Sequence, residues 1–192
     1  MRIITGKYGR RRFQVPRSFS ARPTTDFAKE NIFNVINNLM DPEDTLALDL
    51  FAGTGSISFE LLSRGCKRVT AVEANNAHAS FIAQVAKELK TNDLQLIRGD
   101  VFRFLQSARP ESYDIIFADP PYKLEKLETI PAIILEKGLL RAEGLFIMEH
   151  PREYDFSTLP GFLEHRVYGS VNFSLFQASE RADQPLDQQL PQ

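Results

Sequence analysis

Four consecutive residues, Asp119-Pro120-Pro121-Tyr122, follow an apolar run and combine a carboxylate, two rigid rings and a flat aromatic face. A planar exocyclic amine on a nucleobase is a poor nucleophile, because its lone pair is conjugated with the ring. It attacks a sulfonium methyl only when held in line with the C–S bond. Asp119 offers an acceptor for one N–H, and the Pro120 carbonyl offers another. The prolines restrict the backbone, so both acceptors aim at one point, and orientation of this kind lowers a barrier substantially. Tyr122 adds a face on which a base can stack, worth about 1–3 kcal/mol.

Three further groups sit at corresponding places upstream. The run Asp49-Leu50-Phe51-Ala52-Gly53-Thr54-Gly55 passes from an apolar segment straight into a helical one. Gly53 and Gly55 allow a ligand close to the backbone, or serve only as turn glycines. A dinucleotide fingerprint wants a third glycine where Ser58 stands. Asp49 repels a pyrophosphate but suits a ligand carrying an ammonium group, such as the methionine part of S-adenosylmethionine (AdoMet). Glu73, 20 residues after Gly53, can accept both hydroxyls of an adenosine ribose or merely open a helix. Asp100 can accept from an adenine amino group with Val101 packed on the ring, or cap the next helix. Phe51, Ala74 and Asp119 complete the expected cofactor contacts.

The elements that must position these groups alternate. Apolar runs at 45–51, 68–74, 94–98, 113–119 and 144–149 read as strands. Helical spacing appears at 25–40, 56–64, 76–90, in a short stretch carrying Val101, Phe104 and Leu105, and near 131–137. This alternation implies a parallel sheet covered on both faces, with ligands bound at the carboxyl ends of its strands. EHRVYGS and NFSLFQ lie too close together for a helix between them and should pair antiparallel. Residues 178–192 are polar and read as a disordered tail.

Composition narrows the partners. The chain has 192 residues, 43% apolar and 25% charged, which predicts a globular protein with one main domain. No apolar run has the length of a spanning helix, and the start lacks a secretory stretch, so a cytoplasmic protein without membrane contact is expected. The single cysteine, Cys66, and the separated His78, His150 and His165 suggest no metal site. Seven of the 23 basic residues (Arg2, Lys7, Arg10, Arg11, Arg12, Arg17 and Arg22) precede the first acid, Asp26. That leaves 16 bases against 25 acids in the rest of the chain. A basic segment on an acidic body suggests contact with a polyanion, or it is only a solvated tail. Ile3, Ile4, Phe13 and Val15 alternate with the charges around the turn signal TGKYG, which favours a short β-hairpin.

The motifs DLFAGTGSISFE, VEAN, GDVF and ADPPY resemble the class I AdoMet-dependent methyltransferases that act on amines. RIITGKYGRRRFQVP, ARPTTDFAKENIFNVI and the late YGSVNFSLF are similar to the RsmD family, which methylates guanine N2 in 16S ribosomal RNA. The match spans residues 2–177. It implies a Rossmann-like fold, with a seven-stranded, mostly parallel sheet whose last strand is antiparallel. A domain over 23–177 would carry the reaction, and a hairpin over 1–22 would contact RNA through Lys7, Arg10, Arg11, Arg12 and Arg22. The resemblance assigns AdoMet to Asp49, Gly53, Gly55, Glu73 and Asp100, and the amine to Asp119 through Tyr122. It also implies that Arg22 to Asp26 close over both ligands. Many members continue with basic residues after RPTTD, where this chain has Phe27 and Ala28 and keeps only Lys29. The expected partner is 16S rRNA, bare or within the small subunit or an assembly intermediate, and the expected state is a monomer. Three alternatives stay open: an adenine-N6 methyltransferase on DNA or RNA, a nucleotide-dependent oxidoreductase, and a non-catalytic RNA-binding assembly factor.

Overall fold

Five strands run parallel because helices return the chain across the sheet between them. The computed structural model describes residues 1–19 and 25–178. Helix α1 is Asp26–Leu39, followed by β1 (Leu46–Leu50), α2 (Ser56–Ser63), β2 (Arg68–Glu73) and α3 (Asn76–Leu89). Then come β3 (Leu94–Arg98), α4 (Val101–Ser107), β4 (Tyr113–Ala118), α5 (Ile130–Glu136) and β5 (Leu140–His150). A hairpin of β6 (Phe162–Tyr168) and β7 (Val171–Gln177) ends the sheet. The strand order is β3-β2-β1-β4-β5-β7-β6. β1 through β5 are mutually parallel, and β7 is antiparallel to both of its neighbours. No helix among the described residues is long and apolar enough to cross a membrane.

Strand alternation divides the core in two. Ala47, Val69, Ala71, Ile115, Phe117, Ile147 and Phe173 pack under α1, α2 and α3. Leu48, Leu50, Val72, Ile116, Ala118, Phe146 and Phe176 pack under α4 and α5. Burial on both faces explains the unbroken apolar runs of the central strands. β5 begins earlier than the apolar run from Gly144, because Leu140 already pairs with Tyr113. The exposed Arg141-Ala142-Glu143 stretch hides that start in a polar sequence.

The basic N-terminal arm is built into this core. Ile3 is fully buried and Phe13 nearly so, both among the residues under α1 and α2. The expected hairpin is reduced to one antiparallel bridge, Arg2 to Arg12, supported by Ile3 N–H to the Arg11 carbonyl at 3.0 Å and Phe13 N–H to the Met1 carbonyl at 2.8 Å. Its turn docks on the end of α2. Ile4 and Thr5 N–H donate to the buried Glu60 carboxylate at 2.7 and 3.2 Å. Lys7 N–H donates to the Ser63 carbonyl and Tyr8 N–H to Ser63 Oγ. Gly6 has φ +84°, and a β-carbon there would lie 1.8 Å from the Ser63 carbonyl oxygen. The expected tail beyond 178 and the Arg22–Thr24 part of the closing segment lie outside the described residues.

Replacing Gly6 by Ala should therefore lift the turn off α2 and cost about 2 kcal/mol or more. Thermal melting measures the loss, and amide exchange should accelerate at Ile4, Thr5 and Tyr8 before the sheet opens.

Candidate active site

The carboxyl ends of β1, β2, β3 and β4 lie side by side, because Leu50 pairs with both Val72 and Ala118 while Glu73 pairs with Arg98. Position 119 is therefore next to the turn that follows β1. Asp119 N–H donates to the Leu50 carbonyl at 3.3 Å. The order of the strands reverses between β1 and β4, which is where open sheets of this kind leave a crevice. Asp49, Glu73, Asp100 and Asp119 thus end on one edge.

Asp49 lies on the α2 side of β1 and is 1% exposed. Ser58 donates to it twice, from N–H at 3.0 Å and from the hydroxyl at 2.5 Å, and both bonds fall on Oδ2. Burial pushes its pKa up to about 7 against these two bonds, with the Glu73 charge adding to the rise. Ser58, at the place where a dinucleotide motif has glycine, is the partner that motif reading leaves out. Its signal was a hydroxyl one helical turn into α2, on the side facing β1.

Glu73 does not cap a helix. Its Oε2 accepts from Gly53 N–H at 2.7 Å and its Oε1 from Asn75 N–H at 2.7 Å. Asn75 caps α3 instead, accepting from Ala77 and His78 N–H. The carboxylate thus holds the glycine turn to β2. Asp100 caps α4, accepting from Arg103 N–H at 2.9 Å through Oδ1. Ala74 is exposed at the end of β2, and Val101 is buried among the α4 side of the core.

The glycine turn has the shape a close ligand needs. Phe51 takes φ +62°, a strained value for an aromatic residue, and Gly53 takes φ +56°. A β-carbon on Gly53 would meet only the Phe51 carbonyl oxygen, at 3.9 Å, so open space lies in front of it. Gly55 is structural, since a β-carbon there would strike Phe59 at 2.8 Å. Open space at Gly53, beside the Glu73 carboxylate that accepts its N–H, leaves room for a ligand close to the backbone.

Asp119 is half-buried and Pro120 is buried. The chain then turns, closed by Leu124 N–H to the Pro121 carbonyl at 2.9 Å. Tyr122 is 47% exposed, with its hydroxyl donating to Glu149 Oε1 at 3.0 Å. Glu149, buried near the end of β5, is absent from the sequence reading and fixes the tilt of the ring. His150 lies in the interior. Its Nδ1–H donates to the Pro151 carbonyl, so Nε2 accepts from the Ser174 hydroxyl at 2.8 Å. Burial lowers its pKa and keeps it neutral. Cys66 is buried, and its thiol pKa is pushed up to about 11 by burial.

The basic residues part company. Lys7, in the docked turn, lies 3.7 Å from Asp93 just before β3, on the opposite edge of the sheet. Arg10, Arg11 and Arg12 are exposed. Arg12 lines a cleft of about 630 Å³ with Arg2, Phe13, Val15, Asp26, Thr54 and Ser56, beside the glycine turn. Arg22 falls outside the described residues. Lys29 is not on the surface. It shares a helical face with Ile32, Phe33 and Ile36, is fully buried, and donates to the Arg2 carbonyl at 2.5 Å and to Ser56 Oγ at 2.8 Å. Burial lowers its pKa, with Glu60 opposing. Lys29 ties the N-terminal arm to the first residue of α2, a role its place on the apolar stripe could have signalled.

Known proteins are similar to this chain in sequence and fold. Residues 1–177 match the family described as conserved hypothetical protein 95. Ribosomal RNA small subunit methyltransferase D of Escherichia coli is 30% identical over 191 residues, covering 97% of this chain and 94% of that protein. YlbH of Bacillus subtilis is 35% identical over 92% of this chain and 98% of its own length. The solved structure of Escherichia coli yhhF superposes with a TM-score of 0.81 at 28% identity, covering 94% of this chain and 99% of that one. An RNA methyltransferase from Salinibacter ruber, solved with S-adenosyl-L-homocysteine, shares the fold at a TM-score of 0.63 and 15% identity, over 86% of this chain and 99% of that one. The fold is the Rossmann-like class I methyltransferase fold, and the chain belongs to the conserved hypothetical protein 95 family, the RsmD family its motifs resemble.

Proposed function

We propose that this protein transfers a methyl group from AdoMet to the exocyclic N2 amine of a guanine in the 16S ribosomal RNA of the small subunit. The observation that carries this reading is the position of Asp119, hydrogen-bonded through its backbone to Leu50, on the edge that also holds Asp49, Gly53 and Glu73. The reading is supported by membership of a family whose Escherichia coli relative is named for methylation of small-subunit ribosomal RNA.

Asp49 would pair with the amino-acid ammonium of the cofactor, and Glu73 with the ribose hydroxyls. Gly53 would face the bound cofactor across the open space in front of it. Asp100 and Val101 would frame the adenine, with Phe51 and Ala74 beside them. When bound, AdoMet supplies a methyl group on a positively charged sulfur. Asp119 and the Pro120 carbonyl accept the two amine N–H bonds and turn the nitrogen lone pair toward that methyl. Tyr122, steadied by Glu149, stacks on the base. A guanine inside a helix cannot present this edge to an enclosed site, so the base enters unpaired or flipped out. Arg10, Arg11 and Arg12, with Arg2 and Arg22, attract the RNA backbone, and that attraction weakens with salt.

The decisive assay compares methyl transfer from labelled AdoMet to small subunits, bare rRNA and duplex DNA, with mass mapping of the product nucleoside. N2-methylguanosine in rRNA is expected, and modification of DNA alone overturns the reading. Asp119→Ala should lower turnover about 100-fold or more while AdoMet still binds. AdoMet affinity should rise about fivefold from pH 6 to about pH 7.4 by calorimetry, as Asp49 ionises through about 7, and decline above that as the cofactor's α-amino group, with a pKa of about 7.7–8.0, loses its proton. Asp49 also controls stability. Its pKa is raised from 3.8 to about 7 in the folded chain, so the unfolded chain loses that proton first and stability falls across this window as pH rises. Asp49→Asn should therefore melt progressively higher than the parent between those pH values, level off above them, and bind AdoMet poorly.

A further inference from the structure

Phe27 is 63% exposed, more than any other large apolar side chain among the described residues. It is the second residue of α1, and its ring meets that of Tyr168 edge to face at 6.4 Å. Tyr168 ends β6 and pairs with Val171, where β7 begins. His150, which ends β5, pairs with Asn172. The β6–β7 turn therefore stands on the same sheet edge as Asp119, about 15 Å from β4 by strand spacing. On its other side Phe27 follows Asp26, which pairs with Arg2 at 3.5 Å. Both residues line the cleft that also holds Arg12, Thr54 and Ser56. One rim thus carries arginines beside the glycine turn, then the exposed Phe27 ring resting on the half-buried Tyr168.

We propose that Phe27, backed by Tyr168, is a stacking platform for an unpaired base flanking the target nucleotide, with Arg2 and Arg12 holding the intervening phosphates. This rests on the RNA-methylating reading above and adds a contact to it. A single strand needs flat apolar faces for its bases and cations for its backbone, and tolerates many sequences when both are present. The alternation along this rim supplies both. The acids on the flanking elements are Asp26 and Glu30 on α1 and Glu164 on β6. Asp26 and Glu164 are paired to Arg2 and Arg166 respectively, and Glu30 is exposed one helical turn beyond Phe27. A protein partner would need apolar area rather than this alternation with cations, and the test separates the two.

The chain contains no tryptophan, so Phe27→Trp introduces a single reporter at the platform. Octaadenylate should quench its fluorescence, and an octamer of equal charge made of abasic ribose phosphates should not. Phe27→Ala should weaken octaadenylate binding and raise the KM for small-subunit rRNA about tenfold, while the AdoMet dissociation constant stays within twofold. Phe27→Tyr should restore both values, which a loss of local structure would not permit. Equal quenching by both octamers, or a KM unchanged in Phe27→Ala, overturns the platform while leaving the methylation reading intact. Quenching confined to octaadenylate supports the platform even if the parent protein transfers no methyl group to rRNA, and that second result overturns the methylation reading alone. A reporter silent to both octamers overturns the platform.

Discussion

Strands buried on both faces cannot slip, and this constraint holds the site together. Moving β4 by one residue against β1 would turn Ile115 and Phe117 toward α5, and Ile116 and Ala118 toward α1. The register Leu50 to Ala118 is therefore fixed by apolar packing far larger than any contact in the site itself. The backbone bond from Asp119 to the Leu50 carbonyl follows from that register, and the neighbouring position of Glu73 follows from the pairing of Leu50 with Val72 on the other side of β1. Groups far apart in the sequence reach one edge because the core underneath permits a single alignment.

Above this rigid base, the glycine turn is held by polar groups. Glu73 grips Gly53 N–H from β2, Ser58 closes on Asp49 from α2, and Lys29 reaches Ser56 from α1. Three elements thus converge on a short segment that includes a strained Phe51. Buried charge is costly, and each group offsets the cost differently. Lys29 takes a backbone carbonyl and a hydroxyl, Glu60 takes two backbone N–H groups and Arg64, and Asp49 gives up its charge up to about pH 7. Burial is what favours the proton on Asp49, and a cation placed beside it would favour the charged form.

The N-terminal arm joins the two ends of this system. Its turn is bonded to the last turn of α2 at Glu60 and Ser63, while its base meets the first turn of α2 through Lys29 and Ser56. The exposed basic surface of the arm is thereby mounted on the helix that follows the glycine turn. Motion of the arm would be felt at Ser56, one residue from Gly55.

Much of this was legible in residue order. Two-sided apolar runs separated by helical spacing give the parallel sheet, and acids that end successive runs come to lie on one edge of it. Those features are local, because periodicity and strand termination depend on near neighbours. Choices between equally good local readings were decided only by tertiary packing. Glu73 could open a helix or face a ligand, and the proximity of Gly53 N–H, which depends on β1 and β2 pairing, commits it to the turn. Asp100 carries out the capping that its sequence also allowed. Lys7 and Arg12 look alike in a basic run, yet the docking of Gly6 on Ser63 sends one to the far edge and leaves the other beside Thr54. Residue type and spacing determine what a side chain is able to do. Which partner it meets depends on long-range register and on the burial that enforces it.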